Sequence, residues 1–282
     1  MIRIVTDTSC DLPGAMVKEH DITVVPIHIH FGTESYQEGV DIDWDLFYTK
    51  IDELGIIPTT SVPSVGEFIE VYRRLAREEG AQEIMSIHLT SKLSGVYQAA
   101  HIASRDVAGE VKVYPYDTLA GSASTGLMCL EAAQMTSAGR TAEEIIARLD
   151  EIKSRINILI ALNTLEYARR SGRVGGMKAA LASLLNVKPI IGLEDGALDV
   201  VENVRSRKRS LDRVLDMVEE RVGTTAPVNL AVVHARDPQT GQEMLSRARA
   251  RFNCQVTYLH DICSALVVHF GPGTIGICFY RV

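Results

Sequence analysis

Ile84-Met85-Ser86-Ile87-His88-Leu89-Thr90-Ser91-Lys92-Leu93-Ser94-Gly95-Val96-Tyr97-Gln98 changes pattern twice within a short span. The apolar residues 84, 85 and 87 predict a strand. The hydroxyls and lysine that follow predict a loop. Val96 with Ala99, Ala100, Ile102 and Ala103 predicts a helix, with Ser94 and Gly95 at its start. The first N–H groups of a helix lack intrahelical partners, and the macrodipole makes that end positive. Together with Thr90, Ser91, Ser94 and Lys92 they would cradle an anion. An ordinary serine cap on an ordinary helix reads the same residues equally well.

The unit recurs along the first half. Ile2–Thr6 runs into Asp7-Thr8-Ser9, and Val111–Tyr116 runs into Asp117-Thr118. Repeated strand–loop–helix units imply a parallel sheet, and ligands of such sheets bind beyond the strand carboxyl ends. Asp7, Thr8, Ser9, Ser61, Ser94, Asp117 and Thr118 are therefore expected on one rim. Asp11 is a candidate N-cap, with Pro13 in the first turn of the next helix. Ile22–Phe31 reads as one strand whose His28 and His30 share a face. With no third ligand nearby, they read as surface-facing histidines in preference to a metal pair. Thr60 and Ser61 fall in a proline-stiffened loop, Pro58–Ser64, and Ser64 with Glu67 makes a capping box for a helix. Asp41-Ile42-Asp43-Trp44-Asp45 opens like a calcium loop. Leu46 stands where that loop needs glycine, however, and Asp52 where it needs glutamate. An acidic first turn for a helix Trp44–Leu54 accounts for it.

At 282 residues the chain exceeds the size at which single cores stop growing, so two domains are expected. Helices Gly121–Ala138 and Thr141–Ser154 close the first half and place the boundary near residue 155. The domains are then 1–155, with a parallel sheet, and 156–282, with a mixed sheet. The mixed sheet is inferred from a hairpin signal, Glu194-Asp195-Gly196, between strands starting at Lys188 and Ala197, among further strands and helices. The fold class is α/β, with two α/β domains.

A formal net charge of −7 argues against a broad nucleic-acid surface. The five cysteines are odd in number and form no CxxC, which fits reduced thiols in a cytoplasmic protein. No signal-peptide core follows Met1, and no run of about 18 apolar residues exists, so no membrane insertion is expected. Gly271, Gly273 and Gly276 match GxGxxG, but they lead into the last strand and not into a helix, which argues strongly against a dinucleotide site. There is no Walker sequence, no metal-ligand spacing and no GxSxG elbow. An esterase or thioesterase pairing Ser94 with His269 stays open. Arg169, Arg170, Arg173 and the cluster Arg205–Arg209 read either as a solvated face or as a docking patch for a phosphate-bearing partner.

Several stretches in order resemble the DegV family of bacterial fatty-acid-binding proteins. They are Asp7-Thr8-Ser9-Cys10-Asp11-Leu12, Thr60-Ser61-Val62-Pro63-Ser64, Leu93-Ser94-Gly95-Val96-Tyr97-Gln98 and Asp117-Thr118 in the first half. Leu165 through Arg173, Lys188-Pro189-Ile190 and His269-Phe270-Gly271-Pro272-Gly273 continue the series. Val62 and Phe270 depart from the residues usual at those places. The resemblance implies a long-chain fatty acid held between the two domains. Ser61 and Ser94, with Thr60 and Gly95, would bind its carboxylate, and His269 would lie close to the same head group. It also implies a non-catalytic subunit without cofactor or metal. Such a subunit presents the acid to a separate kinase related to dihydroxyacetone kinases, which makes an acyl phosphate for phospholipid synthesis. Arg170 and Arg173 would face that kinase.

Overall fold

A computed structural model describes residues 1–172 and 187–282. The first half contributes β1 (Ile2–Asp7), α1 (Gly14–Glu19), β2 (Ile22–Val25), β3 (His28–Phe31), β4 (Glu34–Gln37), α2 (Trp44–Leu54) and β5 (Thr59–Ser61). It continues with α3 (Val65–Glu78), β6 (Glu83–His88), α4 (Val96–Asp106), β7 (Lys112–Asp117), α5 (Ala123–Ser137) and α6 (Ala142–Lys153). Beyond residue 155 come β8 (Asn157–Ala161), α7 (Glu166–Ser171), β9 (Lys188–Glu194), β10 (Ala197–Val204) and α8 (Arg207–Val222). The chain ends with β11 (Pro227–His234), α9 (Pro238–Arg251), β12 (Asn253–Asp261), α10 (Ser264–Phe270) and β13 (Ile275–Arg281).

The class is mixed α/β. A four-stranded parallel sheet has the order β2-β1-β6-β7, with Val5 beside Ser86 and His88 beside Asp117. A six-stranded sheet, β10-β9-β8-β13-β11-β12, is antiparallel except for the β11–β12 pair. Its central strands read as continuous apolar runs because both faces are covered. Ile158, Ile160, Ala231, Val233 and Tyr280 face one core, while Leu159, Leu230, Val232, Ile277 and Phe279 face another.

The first of those cores is shared with the parallel sheet through α5, which packs on β1 and β6 and also on β11 and β13. Covered from both directions, α5 buries every residue from Ala123 to Leu130, which explains a helix without a polar face. Gly126 marks the closest approach: a Cβ there would lie 2.4 Å from the Cys10 carbonyl oxygen and 2.9 Å from the Tyr258 hydroxyl.

Two expectations fail locally. Ile22–Phe31 is not one strand: it breaks after Val25, and β2 joins the parallel sheet while β3 is the centre of a separate antiparallel sheet, β4-β3-β5. Pro26 supplies the break, since it lacks the N–H a continuing strand needs. The stretch around Thr60 is not wholly loop, because Thr59–Ser61 pairs with β3. By contrast the hairpin turns as expected, with Asp195 and Gly196 both at positive φ (47° and 79°). All five cysteines are free thiols. No helix among the described residues is long and apolar enough to cross a membrane.

Candidate functional site

Beyond the carboxyl ends of β1 and β6 lies a cavity of about 370 Å³, within the range of small-molecule sites. Its apolar wall is assembled from distant segments: Ile27 and Leu89, Ile158 and Ile160 on β8, Leu193 and Leu198 on the β9–β10 hairpin, and Leu266 and Phe270 on α10. Its polar residues include Ser9, Thr60, Ser61, Ser94, Gln98, Ser122 and His269, with Gly95 and Lys92 at the α4 entrance. Thr60, Ser61, Ser94, Gly95 and His269, separated by up to about two hundred residues in sequence, thus line one space.

The local folding of each piece explains its placement. Gly95 is the N-cap of α4 and offers no side-chain cap. Ser94 sits one residue earlier, and its Oγ accepts the Val96 N–H at 3.4 Å. Strand alternation separates the two hydroxyls of β5. Thr60 pairs with Ile29 and shares its face, whereas Ser61 shares the face of His28 and His30. On that face His30 Nε2 lies 2.8 Å from Ser61 Oγ, and His28 Nε2 lies 2.9 Å from Glu67 Oε1. The hairpin closes over the loop after β6, where Thr90 Oγ1 donates to the Gly196 carbonyl at 3.0 Å. A Cβ on Gly196 would fall 2.5 Å from that hydroxyl.

The model of a family described as "Uncharacterised protein, DegV family" matches residues 1–282. The chain belongs to the DegV family. It is 35% identical over 279 residues to a DegV domain-containing protein of Halalkalibacterium halodurans, covering 99% of this chain and 98% of that one. It resembles in structure a DegV-family protein from Thermus thermophilus described for its fatty-acid binding, with TM-score 0.92, 28% identity and coverage of 100% and 99%. DegV from Bacillus subtilis, a fatty-acid-binding protein, also matches with TM-score 0.92, at 29% identity and the same coverage. DegV relatives thus bind fatty acids.

Only part of the expected rim faces the cavity of this DegV-family chain. Ser9, Ser61 and Ser94 line it, but Asp7, Thr8, Asp117 and Thr118 do not. These four hold the loops instead. Asp117 accepts the N–H groups of Ser91 (3.2 Å) and Leu119 (3.1 Å), Thr118 donates to the His88 carbonyl (2.8 Å), and Thr8 donates to Glu38 (2.8 Å). Polar groups at strand ends have free backbone to satisfy, and here that demand takes precedence.

Asp7 belongs to a wholly buried chain of polar groups. His88 Nδ1 lies 2.7 Å from Asp7 Oδ2, His88 Nε2 lies 2.7 Å from Ser86 Oγ, and Ser86 Oγ lies 2.7 Å from the Tyr72 hydroxyl. Ser9 also donates to Asp7 from its backbone N–H, at 3.1 Å, and from its hydroxyl. The sequence of atoms is that of a hydrolase triad, yet Asp7, Ser86 and His88 have no exposure, so no substrate reaches them. Their role is structural, tying β1 to β6 directly beneath the cavity loops.

Asp11 is not the N-cap of α1; that position is held by Pro13. Its backbone is left-handed (φ 47°), and its carboxyl accepts the Cys263 N–H at the start of α10 at 2.7 Å and the Ser122 hydroxyl at the start of α5. Glu38 does the same one residue on, accepting the N–H groups of Ser264 and Ala265. Two carboxyls from the first half therefore hold the start of the helix that carries His269 at its other end.

Burial pushes Asp11 up to about 8 from 3.8, and it raises Glu38 as well. A carboxyl raised in the native state keeps its proton where the unfolded chain has lost it, so the contribution of Asp11 to stability falls as pH rises from about 4 to about 8. Asp11→Asn is expected to flatten this decline: thermal midpoints followed across that window should fall less steeply than in the wild type. Parallel curves would contradict the assignment.

The basic residues divide. Arg170 is exposed and pairs with Glu166 at 2.9 Å, one helical turn back. Arg173 lies outside the described residues. In the Arg205–Arg209 cluster, Arg207 donates inward to the carbonyls of Ala161 (2.9 Å) and Gly273, a structural use that neither a solvated face nor a docking patch anticipates.

Proposed function

We propose that this chain binds a long-chain fatty acid in the 370 Å³ cavity, with the carboxylate at Ser61 and Ser94, beside Thr60, Gly95 and His269, and the tail along the apolar wall. The observation that carries the reading is the convergence of those five residues on one cavity whose remaining lining is largely aliphatic. Fatty-acid binding by DegV relatives of near-identical fold supports it. The energetics agree. Burying about fourteen methylenes at ~0.8 kcal/mol each supplies on the order of 11 kcal/mol before ordering costs, and hydrogen bonds to a charged head group add roughly 1.5–3 kcal/mol apiece. The tail sets most of the affinity, and the hydroxyls set which end sits at the rim. Titration of the delipidated protein with stearate tests this: saturable one-to-one binding is expected, and its absence contradicts the reading.

The site lies between segments before and after residue 155, which fits two domains, 1–155 and 156–282, with the ligand cleft between them. In this reading the protein is a non-catalytic, cytoplasmic carrier. A neutral hydroxyl cradle leaves a carboxylate oxygen open to phosphorylation, whereas a bidentate arginine clamp would occupy it. The phosphorylating partner is a separate dihydroxyacetone-kinase-like subunit making acyl phosphate for phospholipid synthesis, docked at Arg170 and Arg173. Arg170→Ala is expected to leave stearate binding unchanged and to lower kinase-dependent acyl-phosphate formation about tenfold, as loss of one charged contact would. Equal turnover would remove the docking assignment. The competing esterase or thioesterase reading, Ser94 with His269, requires release of free thiol from acyl-thioesters; the carrier reading requires none.

A further inference from the structure

We propose that Glu38 and Asp11 are positioning residues that hold the first turn of α10 as a partition between two cavities, and that this partition sets the length of acyl tail the ligand cavity accepts; the proposal rests on the fatty-acid reading above. A second cavity, of about 270 Å³, lies behind the start of α10, with Leu12, Val17, Val24, Ile42 and Trp44 in its wall. Two short segments separate it from the ligand cavity: the 3₁₀ turn Thr8–Cys10 and the start of α10, which pack on each other. Each divides its residues between the two spaces. Ser9, Ala265 and Leu266 line the ligand cavity, whereas Thr8, Cys10, Cys263 and Ser264 line the second.

The partition is held by hydrogen bonds from distant residues. Cys263, the N-cap of α10, supplies no side-chain cap. The acceptors come from the first half instead. Asp11 takes the Cys263 N–H at 2.7 Å, and Glu38 Oε1 takes the N–H groups of Ser264 and, at 3.3 Å, Ala265. Glu38 is itself fixed: its other oxygen accepts the Thr8 hydroxyl at 2.8 Å, and its N–H donates to the Ile27 carbonyl at 3.0 Å. Close packing fixes most helices against their neighbours. A void behind this turn removes that support, so the bonds to two buried carboxyls take over. A longer tail moves the turn into the space behind it only by breaking them.

The test uses the full-length protein, stripped of lipid and titrated with palmitate (16 carbons) and arachidate (20 carbons), in the wild type and in Glu38→Ala, Glu38→Gln and Thr141→Ala. Glu38→Ala is expected to raise the arachidate-to-palmitate affinity ratio about four- to fifteenfold, what one or two further buried methylenes supply. Glu38→Gln keeps an acceptor for Ser264 and Ala265 and is expected to stay near the wild-type ratio. Thr141→Ala removes the capping box of α6, which lines neither cavity, and is expected to lower stability while leaving the ratio unchanged. An unchanged ratio in Glu38→Ala overturns the proposal, as does the same rise in Glu38→Gln or in Thr141→Ala. If Glu38→Ala fails to fold, Glu38→Asp takes its place. Its shorter carboxylate draws the turn toward the second cavity and is expected to raise the ratio in the same direction; an unchanged ratio there overturns the proposal equally. A wild-type protein that binds neither acid would overturn the fatty-acid reading itself, an outcome distinct from binding whose length preference ignores Glu38.

Discussion

Replacing Ser61 and Ser94 together by alanine is expected to weaken stearate binding by two to four orders of magnitude while leaving the fold intact. The size follows from two hydrogen bonds to a charged acceptor, roughly 1.5–3 kcal/mol each. The fold should survive because neither side chain belongs to a core: Ser61 is exposed and Ser94 half-buried. Ser94 Oγ contributes only a 3.4 Å contact to the backbone at the start of α4. Residual binding is expected, since the aliphatic wall formed by residues such as Ile158, Ile160, Leu193 and Leu198 is untouched. Calorimetric titration of the double variant beside the wild type checks this. Unchanged affinity with unchanged thermal stability would remove the head-group assignment and leave the cavity only as a tail site.

The second large effect concerns stability. His88→Leu is expected to cost about 3–5 kcal/mol, because it leaves the fully buried Asp7 carboxylate without its imidazole partner. The loss extends to Ser86, whose hydroxyl then retains only Tyr72. Adding Asp7→Asn should recover part of the deficit, since a neutral amide is cheaper to bury than an unpaired charge. Urea unfolding of the two variants measures both steps. A cost below about 1 kcal/mol for His88→Leu would mean that the chain of polar groups does not hold β1 to β6.

The parallel sheet was legible in the sequence because β1, β6 and β7 are short apolar runs that each end in Asp, Ser, Thr or His before a helix. A capping box named the start of α3, and Ser64 with Glu67 forms it in the structure, where Thr141 with Glu144 forms a second at the start of α6. What stayed hidden has physical causes. β4 and β5 span four and three residues, too few for alternation to show, and their pairing with β3 is decided by tertiary contact. Pro26 was visible, but its consequence, moving β3 into another sheet, depends on where the chain goes next.

The candidate site is legible as residue types and not as geometry. Ser61, Ser94 and His269 are recognisable by their motifs, but nothing in sequence says that His30 leans on Ser61. The buried Ser86–His88–Asp7 chain had a signal, two polar residues at period two inside an otherwise apolar strand, which can be read only once β1 lies beside β6. Asp11 looked like a helix cap because its true partners, Ser122 and Cys263, are 111 and 252 residues away. A carboxyl in a turn invites a local explanation, and the long-range one appears only with the fold.

Mass spectrometry of the lipid extracted from protein purified from cells tests the central claim most directly. The account predicts a long-chain fatty acid, close to one per protein chain, that is lost from the Ser61→Ala/Ser94→Ala variant during purification. A wild-type protein that carries no fatty acid and takes none up when stearate is supplied would contradict it.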